Sequence, residues 1–230
     1  MKSIVKHVVC VLFSLCILLG AAEGLPTDKT GMLSHTKAFY VNDYADVLSG
    51  EEESILLEAA SQLHAAADGA QLVLVTVPRP ISDNPRAYAE QLLTLWDVGR
   101  AGRQNGMLIL VSIDPVEITV VSGSALSPTL EEFKQSGFIN NAVRPVLEQG
   151  EINSGLWLLY QTLYEQVCAA YDLDPSSVSG GVLTATPPVA QSHAVLWAGL
   201  GCIVLFSGLV GFLLLRKPKK TTEDADNPLL

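Results

Sequence analysis

Gln71-Leu-Val-Leu-Val-Thr-Val77, Met107-Leu-Ile-Leu-Val-Ser112 and Glu117-Ile-Thr-Val-Val121 decide the fold. The first two are short apolar runs, rich in β-branched residues and bounded by turn formers. Runs of that kind are strands covered on both faces, as in a sheet sandwiched by helices. Pro78 closes the first run. Asp114-Pro115 separates the second from the third, a link far too short for a crossover, so those two strands form an antiparallel hairpin.

Helical patterns surround these strands. Ser49 followed by Glu51, Glu52 and Glu53 is a helix start, a serine cap with acids near the positive end of the helix dipole. Ile55, Leu56, Ala59, Ala60, Leu63 and Ala67 then recur at helical spacing up to Asp68-Gly69. Asn84-Pro85 opens a second helix through Tyr88, Leu92, Leu95 and Trp96. Pro128 to Phe138 and Ile139 to Glu148 read as helical pieces, and Ile152 to Tyr171 as a long helix. The expected fold class is α/β, a small central sheet of about three to four strands flanked by helices.

The two ends of the chain are apolar in different ways. Lys2 and Lys6 precede the run Val8 to Leu19, and Gly20, Ala21, Ala22 and Gly24 follow it. That order of basic, apolar and small residues is a signal peptide over 1–24. Residues 194–215 are apolar without a charge and long enough to span a bilayer, which takes about 20 residues. Arg216, Lys217, Lys219 and Lys220 come directly after, which puts that end on the cytoplasmic side. Between the two lie a leader loop (25–37), a domain (38–171) and a Ser/Gly/Thr/Pro-rich flexible stalk (172–193); residues 216–230 form the tail. The expected location is the cell membrane, single-pass, with the domain extracytoplasmic.

Charge and cysteine content narrow the function. The net charge is -10, opposite to what phosphate neutralisation needs, so nucleic acid is not the partner. Only Cys168 lies in the domain, in an apolar helical pattern, so no internal disulfide is expected and stability must come from the core. HExxH, CxxC, GxSxG and P-loop motifs are all missing, and neither His35 nor His64 has an obvious catalytic partner.

What remains is acids and arginines at element boundaries. Asp43 and Asp46 precede the first helix, and Asp114 sits in the hairpin turn. Carboxylates at strand ends suit a hard cation such as calcium or magnesium, and they equally suit turns and helix caps. Arg100 and Arg103, in the glycine-rich loop 99–106, have the bidentate geometry for a phosphate, or are simply solvated.

Taken in order, Tyr40-Val-Asn-Asp-Tyr-Ala-Asp-Val-Leu-Ser49, the strand 71–77, Trp96-Asp-Val-Gly99, Asn105-Gly-Met-Leu-Ile-Leu-Val111 and the strand ending near Gly123 resemble the TPM-domain family. The resemblance covers roughly 39–171. It implies a compact α/β domain and a range of activities: acid phosphatases, calcium binders, and accessory proteins of membrane complexes or receptors. It places Asp43 and Asp114 where the family's site acids fall. The chain departs from the pattern at Ser127, where the family carries an acid, and at Pro115, where a basic residue is common. Two functions compete. One is a membrane-tethered, extracytoplasmic, non-catalytic domain that binds or assists other envelope proteins. The other is a divalent-metal-dependent phosphatase-like hydrolase.

Overall fold

A parallel three-stranded core, extended by one antiparallel strand, organises the chain. The computed structural model describes residues 25–183. The expected signal peptide, membrane span and tail, and stalk residues 184–193, lie outside the described residues. In chain order the elements are β1 (Val41–Asp43), α1 (Gly50–Ala66), β2 (Gln71–Val77), α2 (Pro85–Leu95), β3 (Gly106–Ile113) and β4 (Val116–Ser122). After them come α3 (Ser127–Gln135), a π-helical turn (Ile139–Val143), α4 (Arg144–Glu148), α5 (Ile152–Ala170) and α6 (Pro175–Val178). The sheet order is β1-β2-β3-β4, with β1, β2 and β3 parallel and β4 antiparallel to β3. The α/β expectation holds.

Side-chain alternation divides the sheet between two cores. Leu72, Leu74, Met107, Ile109 and Val120 face α1, α3, α4 and α5. Val73, Val75, Val77, Leu108, Leu110 and Val121 face α2 and Leu33 of the leader. Both faces are buried, which is why β2 and β3 read as continuous apolar runs rather than as alternating ones. The crossovers from β1 to β2 and from β2 to β3 step the same way across the sheet, yet α1 and α2 cover opposite faces. One of the two connections therefore has the left hand, the rarer choice.

Local chemistry sets the helix ends. Ser49 Oγ accepts from Glu52 N–H at 3.2 Å and Glu52 Oε2 accepts from Ser49 N–H at 2.7 Å, a complete capping box. Asn84 caps α2 through Ala87 N–H, with Pro85 at the first helical position.

Two expectations change in detail. The leader, residues 25–37, is pinned by the core. Leu33 N–H donates to Tyr88 Oη at 3.1 Å, Leu33 C=O accepts from Trp96 Nε1–H at 2.9 Å, and Tyr44 Oη donates to Ser34 C=O. The first part of the expected flexible stalk, residues 172–183, belongs to the folded body. Asp174 caps α6 by accepting from Ser176 and Ser177 N–H, Val178 and Val182 pack on the core, and Leu183 is buried. Four apolar side chains, Leu173, Val178, Val182 and Leu183, suffice to dock that segment, although the composition around them is that of a linker. Among the described residues no helix is long and apolar enough to cross a membrane.

Candidate functional site

The exit ends of the parallel strands carry the acids. Asp43 ends β1 opposite Thr76 of β2. Its Oδ1 accepts from Thr76 Oγ–H, and its Oδ2 accepts from Val47 N–H at 2.9 Å and Leu48 N–H at 2.7 Å. The turn is tied down further by Tyr44 N–H to Thr76 C=O (3.1 Å) and Ala45 N–H to Thr76 Oγ (3.3 Å). Asp43 is thus the organiser of the turn that hands β1 over to α1, filling backbone donors that a turn leaves unpaired.

Asp46, at the apex of that turn, is exposed and has φ 52°, a left-handed conformation that Asp tolerates better than most residues. Glu53, in the first turn of α1, completes a patch of negative charge. Burial first, and then the Asp43 and Asp46 carboxylates, raise its pKa above the ordinary carboxylate value. The sequence pattern marks Glu53 only as a dipole-compensating acid; its proximity to Asp43 arises because the 44–48 turn folds α1 back over the strand end.

Asp114 lies in the β3–β4 turn, exposed, with its N–H donating to Pro78 C=O at 3.1 Å and a cis peptide bond to Pro115. Its strand is two places from β1, about 10 Å across the sheet. Ligands of one hard cation sit about 2.3–2.6 Å from it, so two shared carboxylates must come within about 5 Å of each other. Among the described residues no group of three or more His, Cys, Asp or Glu side chains is arranged to hold a metal. The donor set at Asp43 fits a structural acceptor better than a cation site, because three of its lone-pair directions already face donors from this chain.

Arg100 and Arg103 stand at the opposite end of the sheet. Gln71 pairs with Gly106 at the entry ends of β2 and β3, five residues before the Thr76 row, or about 17 Å away. Both arginines engage Asp68: Arg100 Nη1 on Oδ1, and Arg103 Nη2 on Oδ2 at 3.0 Å. The loop that presents them is held rigidly. Gly99 N–H donates to Gln71 Oε1 at 2.6 Å and Arg100 N–H to Asn105 Oδ1 at 2.8 Å, while Asn105 Nδ2 reaches Asp68 C=O and Tyr171 Oη. A Cβ on Gly106 would lie 2.0 Å from Val98 C=O oxygen, and one on Gly123 would lie 2.1 Å from that of Gln104. The glycines serve close backbone packing at the base of the loop. A cleft of about 320 Å³, lined by Thr94, Asp97, Arg100, Gly102 and Gln104, opens beside it. Asp68 is the partner that sequence spacing hides, 32 residues from Arg100.

His35 packs edge-on against Phe39 and Trp96, and the His64 ring lies tilted beside that of Tyr40. Cys168 is a free, buried thiol whose pKa burial pushes up to about 11, with Asp174 and Glu165 adding to the effect. The structure thus brings Asp43 and Asp46 together with Glu53, pairs Arg100 with Arg103 on Asp68, and leaves Asp114 apart from both groups.

A helix-covered α/β sheet with an acidic turn at its strand exits and a glycine-braced arginine loop at its strand entries defines the class. The family model described as the TPM domain matches residues 41–166, more than half of the chain, and the chain belongs to that family. Solved structures with a similar backbone include the N-terminal domain of a P. gingivalis protein. It shows 23% identity over 65% of this chain and 87% of that one, with a TM-score of 0.46. The N-terminal domain of a Corynebacterium glutamicum protein shows 15% identity over 70% and 90%, with a TM-score of 0.37. No curated protein sequence matches the chain.

Proposed function

We propose that this TPM-domain protein is a membrane-tethered, extracytoplasmic and non-catalytic module that binds or assists other envelope proteins. The observation that carries the reading is the engagement of Asp43, whose two oxygens accept three hydrogen bonds from Thr76, Val47 and Leu48. A carboxylate so occupied holds a turn; it is poorly placed to bind a cation or to move a proton. Asp114 stands about 10 Å aside, and the acid that the family carries is Ser127 here. The tether follows from the apolar segment 194–215 and the lysines after it. Tethering raises the effective concentration of the module near membrane partners. The exposed acids Asp46 and Asp114 favour a partner with a basic surface.

The purified full chain, incubated with a generic phosphomonoester and calcium or magnesium, is expected to release no phosphate above the buffer blank. Cation-dependent turnover that disappears in Asp43→Asn would establish the hydrolase instead.

A further inference from the structure

α2 ends in a Schellman motif whose left-handed residue is an aspartate. Val98 N–H donates to Leu93 C=O at 3.0 Å and Asp97 N–H to Thr94 C=O at 3.2 Å, with Asp97 at φ 51°. Glycine, or sometimes asparagine, is the usual choice at that position. Aspartate is costlier on two counts. Its Cβ disfavours the left-handed conformation, and its carboxylate stands at the negative end of the helix dipole. The side chain is exposed and, among the described residues, makes no hydrogen bond or ion pair that would offset either cost. Local strain that the fold itself does not require is a mark of binding sites.

Asp97 lines the cleft of about 320 Å³ beside the arginine loop. Gly99, Gly102 and Gln104 line it too, so every positive-φ residue between 96 and 105 borders this space. Gln104 Oε1 accepts from Ser124 Oγ at 2.6 Å, which leaves the amide NH2 free to donate. Asp97 and Arg100 are the charged residues of the lining. Arg100 shares Asp68 with Arg103, and two guanidinium groups on one carboxylate keep a net positive charge. A lone anion in the cleft would meet Asp97, and a lone cation would meet Arg100; a molecule carrying both charges answers both.

We propose that this cleft binds a small zwitterion, a primary ammonium joined to a carboxylate or phosphate a few atoms away. The ammonium pairs with Asp97 at the C-terminus of α2, where the helix dipole favours a cation. The oxyanion takes the spare N–H groups of Arg100 and the Gln104 amide. A free amino acid and the amino-alcohol phosphate of a lipid headgroup share this chemistry. The volume lies at the lower end of the about 300–1,000 Å³ typical of small-molecule sites.

Thermal unfolding of the purified full chain tests the site, with glycine and phosphoethanolamine as the zwitterions and ethanolamine and inorganic phosphate as half-ligands. A ligand of the folded state raises Tm by mass action. At least one zwitterion is expected to raise the Tm of the parent, and neither half-ligand to do so. A rise with glycine alone identifies a free amino acid; a rise with phosphoethanolamine alone identifies the headgroup; a rise with both fits the class. Asp97→Asn should increase the folding equilibrium constant of the unliganded protein about two- to fivefold, because it relieves the dipole penalty, and should abolish the ligand's shift. Arg100→Gln should abolish the shift as well. No shift with either zwitterion, an equal shift with a half-ligand, or a shift that survives in Asp97→Asn overturns the site. An Asp97→Asn protein less stable than the parent would show the carboxylate to be structural, and that too overturns it.

Discussion

Truncating Asp43 should cost the protein far more than neutralising it. Asp43→Ala removes one acceptor from each of three donors: Val47 N–H, Leu48 N–H and Thr76 Oγ–H. Thr76 is fully buried and Leu48 nearly so, so water replaces those bonds poorly. A hydrogen bond to a charged group contributes about 1.5–3 kcal/mol, and contributions within one cluster add incompletely. Relief of repulsion with Asp46 and Glu53 returns part of the loss. The net expectation is a destabilisation of about 3 kcal/mol, or about 6–12 °C in Tm for a domain of this size. Asp43→Asn behaves differently. Its amide oxygen can take the Oδ2 place and keep both backbone donors, and its NH2 can donate to Thr76 Oγ. That arrangement leaves only the threonine proton without its acceptor, a cost of about 1–2 kcal/mol. Urea denaturation of the full chain, followed by far-UV circular dichroism, measures both. An Ala variant as stable as the parent, or an Asn variant as damaged as the Ala variant, would refute the structural role of this carboxylate.

Other outcomes follow from the same geometry. Because burial, and then the neighbouring Asp43 and Asp46, raise the Glu53 pKa, its ionised form opposes folding: the stability it allows is fully present below its unfolded pKa and is lost as pH rises through the folded value. Glu53→Gln should therefore melt above the parent at pH 7 and level with it at pH 3, as thermal scans at the two pH values would show. Gly106→Ala drives a Cβ to 2.0 Å from a backbone oxygen and should cost about 3 kcal/mol or more in denaturation, whereas Gly102→Ala meets nothing within 4 Å and pays only for its positive φ. Cys168, with its thiol pKa pushed up to about 11 and its side chain buried, should resist alkylation at pH 8 until denaturant unfolds the domain, a rate that mass spectrometry of the Cys168 peptide reads directly.

Which parts of this protein can be read from its sequence has a physical basis. The strands 71–77 and 106–113 are legible because both sheet faces are covered, so each is one apolar run with turn residues at its ends, and 116–122 is legible because Asp114-Pro115 leaves room only for a hairpin return. The capping box of α1 is legible because it is local. β1 is not, since it has only three residues and includes Asn42, whose buried amide is satisfied by Thr36 N–H of the leader and by Phe39 C=O just before the strand. The site resists for the same reason. Asp43 and Thr76, Arg100 and Asp68, and Glu52 and Asn153 are pairs made by the tertiary fold across 33, 32 and 101 residues, and spacing along a chain does not encode them. The docking of residues 172–183 escapes notice because Val178, Val182 and Leu183 are diluted by Ser and Gly.

The functional account rests on where the folded body stands relative to the lipid. Intact cells carrying separate epitopes near residue 30 and at the C-terminus, treated with external protease after permeabilising any outer barrier, measure this directly. Loss of the first epitope with survival of the second is the predicted result; survival of the first with loss of the second would reverse the orientation and remove the basis for an envelope role.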